Sequence, residues 1–436
     1  MGDNISVPFD GEELELPLPG SWQLLDAPRP RSSPALEDLA GSLRGALEKP
    51  VGVVPLSALD LDEMKIVIAV DDVARPTPLH LYFGDLLEYL LQNGARKEQL
   101  TVLFALGVHR PMTEEEAAQK LGPENMEGLR WLNHNCRDMD QLVELGTTSL
   151  GTEVILNKHL AEADLVLCVG AIEPHLLLGF GGGLKMIIPG LAHEKTIAQN
   201  HMQGVTPTSY NYVGVTESPM RLDLEEGAGM LGKQTFIVNA ILNEDAEICS
   251  FVCGDPIKAH REGARQVAEM FRVELDQPAD VVIVASSPMN KDLRQAMKCI
   301  GNVEQCLKPD GLIIGLLDCE QGVGDVSIPP RSLPHALLRL LLKALGRDRV
   351  LWFVDKVKRG AATEERFMSH YAMQVMRKTE IYVHSPHLPA DTGKRMGLFR
   401  QFDSLDALWR AASYYAPPRA KAYVFTHGGV SYYTRI

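Results

Sequence analysis

A glycine-dense segment between histidines contains the residues of this sequence that are best suited to chemistry. It begins at His175, contains four glycines before Lys185, and is followed by a Pro-Gly pair and then by His201. Glycines let backbone N–H groups approach a ligand closely, and a lysine beside them can bind an anion or form a bond to an electrophilic carbon. Leu184 excludes both a Walker A loop and a dinucleotide-binding fingerprint, because each motif requires another residue there.

Three apolar runs predict buried parallel strands, and a polar cluster follows each run. The runs are residues 65–71, 100–106 and 164–170. The clusters contain Asp71, Asp72, Arg75 and Thr77 after the first run, His109 after the second and His175 after the third. In open parallel sheets, ligands bind at the carboxyl ends of the strands. We therefore expect the three clusters to lie at one edge of a sheet.

The composition is that of an ordinary soluble protein. The chain of 436 residues is 45% hydrophobic and 23% charged, and no stretch approaches the roughly 18 apolar residues of a membrane helix. Seven scattered cysteines favour a reducing cytoplasm over a disulfide framework. A formal net charge of −14 argues against a nucleic-acid partner. It also means that local basic residues must attract any anionic substrate.

The order of the predicted elements indicates an α/β protein with two domains, each built on a mostly parallel sheet with flanking helices, and an active site in the cleft between them. We predict a cofactor-binding domain over residues 1–273 and a Rossmann-like domain over 274–415. The sequence leaves open whether residues 416–436 return to the first domain. The strands predicted for the second domain are 280–285, 311–317, 349–354, 380–384 and 421–425.

A further cluster follows the first strand of the second domain. Ser287 is the second residue after that strand, and Arg294 and Lys298 are spaced to share one face of a predicted helix over 291–305, with Gln295 beside them. A helix start that carries cations can bind a carboxylate or a phosphate. A solvated basic face is the alternative.

Taken together, the clusters resemble the nickel-pincer lactate racemase family. The shared motifs, in chain order, are Asp71-Asp72-x-x-Arg75-Pro-Thr-Pro, Gly107-Val-His109-Arg110-Pro-Met-Thr, His175, Gly-Phe-Gly-Gly-Gly-x-Lys185, Pro189-Gly190, His201 and Gln295-x-x-Lys298. They extend over nearly the whole chain, and their number and order make the resemblance specific.

The resemblance implies a nickel-pincer nucleotide as cofactor, a nicotinate-derived mononucleotide whose two sulfur-containing arms hold nickel. Lys185 would join it through a thioamide, and His201 would complete the nickel coordination, for which imidazole is suitable. The residues that would contact the nucleotide are Asp72, Thr77, Gly181, Gly182 and Gly183.

The implied activity is racemisation or epimerisation of a 2-hydroxy acid, by hydride transfer from the substrate Cα through a 2-keto acid. His109 and His175 match the two bases that would serve the two faces of the planar intermediate. Glu173 is a candidate for orienting His175. The residues that would orient the substrate carboxylate are Arg75, Gln295 and Lys298. Implied partners are the small-molecule substrate and the proteins that build and load the cofactor; a homodimer is left open.

The substrate prediction rests on two departures from the family pattern. Arg294 stands where lactate racemases usually have a tyrosine, and Ser287 replaces the tyrosine of a preceding Tyr-Pro turn. Because a guanidinium suits a second carboxylate, we predict a dicarboxylic 2-hydroxy acid such as malate. A sugar acid and a lactate-type substrate are the alternatives, as is an Arg294 that points to solvent.

Two other classes of function remain at this point. A non-catalytic protein that binds nickel or the cofactor would need neither His109 nor His175. A zinc hydrolase that uses His109, His175 and His201 would lack an obvious carboxylate ligand and leave Lys185 without a role.

Overall fold

The chain folds into two compact units. The computed structural model describes residues 5–205, 211–324, 326, 328–346, 349, 352, 356 and 371–434, and the backbone alone of 363–370. The first unit is Ser32–Met270, and the second unit combines Met1–Arg31 with Phe271–Ile436. No helix among the described residues is long and apolar enough to span a bilayer.

Strands and helices alternate through most of the chain. The strands are β1 Ile5–Phe9, β2 Glu12–Leu16, β3 Gln23–Asp26, β4 Ile66–Val70, β5 Leu100–Phe104, β6 Arg130–Asn133, β7 Leu142–Thr147, β8 Glu153–Asn157, β9 Leu165–Ile172, β10 Pro174–His175, β11 Gly179–Phe180, β12 Gln234–Leu242, β13 Ile248–Gly254, β14 Ala279–Ala285, β15 Leu307–Leu316, β16 Glu380–His384, β17 Arg400–Phe402 and β18 Lys421–Phe425. The α-helices are α1 Leu39–Glu48, α2 Phe83–Gln92, α3 Glu114–Leu121, α4 Lys158–Glu162, α5 Glu194–Gln203, α6 Pro219–Gly229, α7 Lys258–Phe271, α8 Leu293–Ala296, α9 Lys298–Val303, α10 His335–Leu345, α11 Thr363–Lys378, α12 Thr392–Met396 and α13 Leu405–Tyr415.

The first unit is built on a six-stranded sheet with the order β13-β12-β9-β4-β5-β6. All neighbours are parallel except β12 and β13, which form an antiparallel edge. Every residue of β4 is buried, as expected for a central strand covered on both faces. Leucine, isoleucine, valine and phenylalanine side chains of the sheet and of α1 and α2 form the core.

The second unit has its own six-stranded sheet, with the order β17-β16-β15-β14-β18-β3 and parallel pairing throughout. The predicted α/β class and the two mostly parallel sheets are therefore confirmed. The predicted strand at 349–354 falls mostly outside the described residues, and Arg349 and Trp352, which are described, are helical. The strand prediction is wrong at those two positions.

The predicted domain bounds need correction at both ends of the chain. Residues 1–31 belong to the second unit, because β3 pairs in parallel with β18 and the β1–β2 hairpin adds Ile5, Val7 and Phe9 to the core of that unit. Residues 416–436 also stay with the second unit and do not return to the first. The boundary between the units, predicted after residue 273, lies at Met270/Phe271.

Candidate active site

The predicted polar clusters of the first unit meet at one edge of its sheet. Strand β4 pairs in parallel with both β5 and β9, so the carboxyl ends of these three strands lie side by side. Asp71 follows β4 directly, a turn after β5 leads to His109, and β9 leads through Glu173 to His175. The expectation of a shared edge is confirmed.

Asp72 and His109 form a close pair at this edge. Nδ1 of His109 lies 2.6 Å from Oδ2 of the buried Asp72, whose Oδ1 accepts a hydrogen bond of 2.8 Å from the backbone N–H of Ala74. Burial raises the pKa of Asp72, but the hydrogen bond and charge of His109, with the charge of Arg75, outweigh it and leave the pKa at about 2. The carboxylate is therefore an acceptor only, so Nδ1 of His109 donates and Nε2 is the proton-accepting atom of the neutral ring.

The hydrogen bonds at Nδ1 of His175 have the opposite direction from that at Nδ1 of His109. His175 lies in the two-residue strand β10, opposite Gly179 of β11, and its Nδ1 accepts hydrogen bonds from the backbone N–H groups of Leu177 (3.3 Å) and Leu178 (3.2 Å). An imidazole nitrogen that accepts hydrogen bonds is unprotonated, so the proton of the neutral ring is on Nε2. In their neutral forms, His109 therefore has a lone pair at Nε2 and His175 has a proton there.

Arg75, a predicted ligand of the substrate carboxylate, lies near an acidic residue. Its Nη1 is 3.9 Å from Oε1 of Glu173. The backbone carbonyl of Glu173 accepts a hydrogen bond of 2.7 Å from the N–H of Gly181. Glu173 therefore connects the loop that contains Arg75 with the glycine-rich turn of residues 179–185, which we call the glycine turn. The position of Glu173 before His175 did not predict this contact.

A buried lysine that no sequence motif indicated supports the loop that contains Arg75. Nζ of Lys120, in the last turn of α3, lies 2.6 Å from Oδ1 of Asp71 and donates hydrogen bonds to the backbone carbonyls of Thr77 (3.0 Å) and Arg75 (3.3 Å). The hydroxyl of Thr77 donates to Oδ2 of Asp71 over 2.5 Å. Burial raises the pKa of Asp71 and outweighs the charge and hydrogen bond of Lys120, which lower it. Lys120 lies in the last turn of an ordinary amphipathic helix, so nothing in the local sequence singled it out.

The glycine turn places Lys185 in a buried position. Residues Gly183–Met186 form a single 3₁₀ turn, and the Lys185 side chain is buried. Gly182 and Gly183 have φ values of +71° and +59°, and a Cβ at Gly182 would lie 2.7 Å from the carbonyl oxygen of Ala171. Both the left-handed backbone and this close approach require glycine. The run of glycines is thus explained by the path of the backbone beside β9.

His201 has the tautomer of a metal ligand. Its Nδ1 donates a hydrogen bond of 2.7 Å to the carbonyl of Ile197, one turn earlier in α5, so the lone pair of the neutral ring is on Nε2. Among the described residues, no group of three or more His, Cys, Asp or Glu side chains could hold a metal ion alone. The three-histidine zinc site of the hydrolase alternative finds no support there.

The predicted substrate residues of the second unit follow β14. Ser287 is buried and precedes a cis peptide bond to Pro288, and Gln295 is buried, whereas Arg294 and Lys298 are half-buried. Within the described part of the chain, Oε1 of Gln295 has no hydrogen-bond partner, which fits a residue that binds a ligand.

The local secondary structure around Gln295 differs from the prediction. The predicted helix over 291–305 is two short helices, α8 and α9, which meet at Met297. Asp292 caps α8, because its carboxylate accepts a hydrogen bond of 2.9 Å from the N–H of Gln295.

Comparison with known proteins assigns the chain to a family. Residues 9–211 match the lactate racemase N-terminal domain. The chain is 31% identical to a lactate racemase from Thermoanaerobacterium thermosaccharolyticum over 324 residues, which are 71% of this chain and 75% of that protein. The chain belongs to the lactate racemase family. Another member, the lactate racemase of Lactiplantibacillus plantarum, is 30% identical over 311 residues, 69% of this chain and 73% of that protein. Family membership makes the chain a racemase, and so an isomerase, as the motifs predicted.

Two solved structures share the fold. The lactate racemase apoprotein from Thermoanaerobacterium thermosaccharolyticum superposes with a TM-score of 0.82 at 24% identity, covering 99% of this chain and all of that one. A protein from Thermotoga maritima superposes with a TM-score of 0.67 at 19% identity, covering 91% of this chain and 98% of that one. At these identities the likeness concerns the fold alone.

Proposed function

We propose that the protein inverts the Cα configuration of a 2-hydroxy acid, with His109 and His175 exchanging the hydroxyl proton. The observation that supports this most directly is the 2.6 Å contact between Asp72 and Nδ1 of His109. A carboxylate behind an imidazole fixes the tautomer and stabilises the imidazolium that forms when Nε2 accepts a proton. His109 is therefore the base for one enantiomer.

His175 would be the second residue that exchanges the hydroxyl proton. The two backbone N–H groups at its Nδ1 keep the proton of the neutral ring on Nε2. Donating that proton from the neutral ring would leave an imidazolate, so His175 must be the imidazolium when it donates at Nε2 and the Nδ1–H tautomer afterwards. Nδ1 then carries a proton, and the ring must give up the bonds from Leu177 and Leu178. The two directions thus use histidines with different surroundings.

We propose the nickel-pincer nucleotide of this family as cofactor, and the residues present fit it. Lys185, on its glycine turn, would attach the nucleotide covalently, and Nε2 of His201 would ligate nickel. When bound, the cofactor would supply an acceptor for the Cα hydride. Asp72, Thr77 and Gly181–Gly183 stay predicted contacts of the nucleotide, and proteins that build and load the cofactor are implied partners.

The substrate that we propose is a dicarboxylic 2-hydroxy acid such as malate. Arg75 would bind the carboxylate next to the reacting carbon, with Gln295 and Lys298 as further predicted ligands. Arg294, which replaces the tyrosine of lactate racemases, would bind the second carboxylate. Lactate and sugar acids are the alternatives, and Ser287 would hydrogen-bond to the hydroxyls of a sugar acid.

The test is racemisation of single-enantiomer 2-hydroxy acids by protein produced together with cofactor-building proteins, followed by chiral separation. Turnover of malate with little turnover of lactate is expected. Turnover confined to lactate or gluconate-like acids would retain the racemase and reject the dicarboxylate. Absence of turnover on every acid, with nickel and a mass increase at Lys185 both verified, would favour the non-catalytic alternative.

A further inference from the structure

We propose that Arg221, Asn239 and His260 are positioning residues that fix the backbone of the glycine turn and so set the place of Lys185. The inference rests on the proposed attachment of the cofactor to Lys185. The three residues come from three different elements, α6, β12 and α7. Neither the motifs of the sequence nor the proposed chemistry gave them a role.

Each of the three side chains bonds to a different backbone group of the turn. A guanidinium nitrogen of Arg221 donates to the carbonyl of Phe180. Nε2 of His260 donates to the carbonyl of Gly181 over 2.8 Å, and Oδ1 of Asn239 accepts from the N–H of Gly183 over 2.9 Å. The three bonds therefore hold the turn immediately before Lys185.

The three polar groups are buried in a way that packing alone does not explain. Asn239 and His260 are fully buried, and Arg221 is 1% exposed. Burial lowers the pKa of Arg221 to about 9, so this position stabilises its charged form poorly. Nε of Arg221 lies 3.9 Å from Glu225 and has no hydrogen-bond partner among the described residues. An apolar side chain would fill the space with less desolvation, whereas only a donor can hold the carbonyl of Phe180.

His260 is fixed as a neutral donor. Burial, and then the charge of Arg221, lower its pKa well below the ordinary value for histidine. Its Nδ1 lies 3.3 Å from a guanidinium nitrogen of Arg261, which donates two hydrogen bonds to Glu225 at 2.8 and 2.9 Å. Because Nδ1 faces a donor, the single ring proton is on Nε2 and is directed to Gly181. The histidine therefore acts as a fixed hydrogen-bond donor and not as a proton carrier.

A turn that consists mostly of glycine needs such external bonds. Glycine permits the left-handed φ values at Gly182 and Gly183 but restricts the backbone less than any other residue. The absence of a side chain at Gly183 also admits the His260 ring, which a Cβ there would meet at 3.0 Å. A reactive group must be held within about 0.5 Å of its productive position. The three buried side chains supply this restraint for Lys185.

The test compares variants that remove one bond each. His260→Leu and Asn239→Leu remove the bonds to Gly181 and Gly183, and His260→Gln retains a donor at the place of Nε2. His335→Leu is the matched control, because His335 is a buried histidine of the second unit whose Nδ1 bonds to the carbonyl of Gly397 over 3.1 Å. All proteins are produced together with cofactor-building proteins, and the modified fraction of Lys185 is read from intact mass.

We expect His260→Leu and Asn239→Leu to lower the modified fraction of Lys185 about tenfold or more, as when a residue that orients a ligand of a metal site is removed. The His335→Leu control should lose a comparable amount of thermal stability but keep the wild-type fraction of modified Lys185. His260→Gln should retain most of that fraction. Hydrogen exchange of the Gly183 amide, measured on unloaded protein, should accelerate in Asn239→Leu and stay unchanged in the control.

Wild-type modification in both leucine variants, with no faster exchange at Gly183, would overturn the inference. Wild-type protein that carries no adduct on Lys185 would instead contradict the proposed cofactor attachment. In that case the exchange at Gly183 still decides whether the three residues hold the turn.

Discussion

The carboxylate of Asp72 accepts a hydrogen bond from Nδ1 of His109. Asp72 therefore affects the chemistry by orienting the imidazole ring and fixing its tautomer. This pair distinguishes His109 from His175, whose Nδ1 accepts hydrogen bonds from two backbone N–H groups. The chemical difference between the two histidines leads to the first prediction.

Asp72→Asn should lower kcat by roughly 10²–10⁴-fold, the range of a general-base contribution, and change KM little. An amide can donate to Nδ1, which moves the ring proton to Nε2 and removes the proton-accepting atom. Steady-state racemisation rates test this. Glu162→Gln, at an exposed carboxylate 3.8 Å from His159, is the control and should leave kcat unchanged. A wild-type kcat in Asp72→Asn would refute the role of the pair.

The same substitution should change how stability depends on pH. The pKa of Asp72 falls from 3.8 to about 2 on folding, so its stabilising effect is complete above pH 4 and is lost as the pH falls toward 2. Between pH 5 and pH 3 the stability difference between wild type and Asp72→Asn should shrink by about 1 kcal/mol. Denaturant unfolding at several pH values measures it, and a constant difference would contradict the low pKa.

Lys120→Met should destabilise the protein by about 3–5 kcal/mol, because it leaves the buried carboxylate of Asp71 without its cation. Adding Asp71→Leu should recover part of this loss. Lys195→Met, which removes an exposed ion pair with Glu153, is the control and should change the stability by at most about 1 kcal/mol. Denaturant unfolding tests all of these variants. Equal effects of the two lysine variants would show that the buried cation is dispensable.

Gly182→Ala should destabilise the protein by about 1–3 kcal/mol and lower the modified fraction of Lys185. Alanine at φ +71° is strained, and its Cβ would lie 2.7 Å from the carbonyl of Ala171. Gly229→Ala, near the end of α6 with no atom within 4 Å of the added Cβ, should be neutral or slightly stabilising. Thermal unfolding and intact mass give both readouts. Equal stability of the two variants would contradict the packing of the turn.

Arg294→Leu should reduce kcat/KM for malate by about tenfold to a hundredfold, because the second carboxylate of malate would lose the guanidinium that binds it. The kcat/KM for lactate, which has no second carboxylate, should stay within about threefold of the wild-type value. Arg294→Lys should retain part of the malate activity, since it keeps the charge but not the planar fork. Competition between the two substrates in one reaction measures the ratio directly. An unchanged ratio in Arg294→Leu would mean that specificity lies elsewhere.

The sequence predicted the local features well, because each strand that leads to the site is an apolar run followed by a polar turn. Strands β4, β5 and β9 and the clusters that follow them came from that pattern. Lys120, Arg221 and His260 could not be predicted in this way, because they lie in helices whose patterns are ordinary and their partners are backbone atoms distant in the chain. The tautomers of the histidines depend on the same distant contacts.

The pairing of β3 with β18 has a consequence for synthesis on the ribosome. Residues 1–31 are translated before Ser32–Met270, yet β18, with which β3 pairs, is translated after it. Meanwhile the whole of Ser32–Met270 has been translated and contains all the strands of its own sheet. We therefore expect Ser32–Met270 to fold during translation, whereas residues 1–31 can take their place only after β18 has been translated.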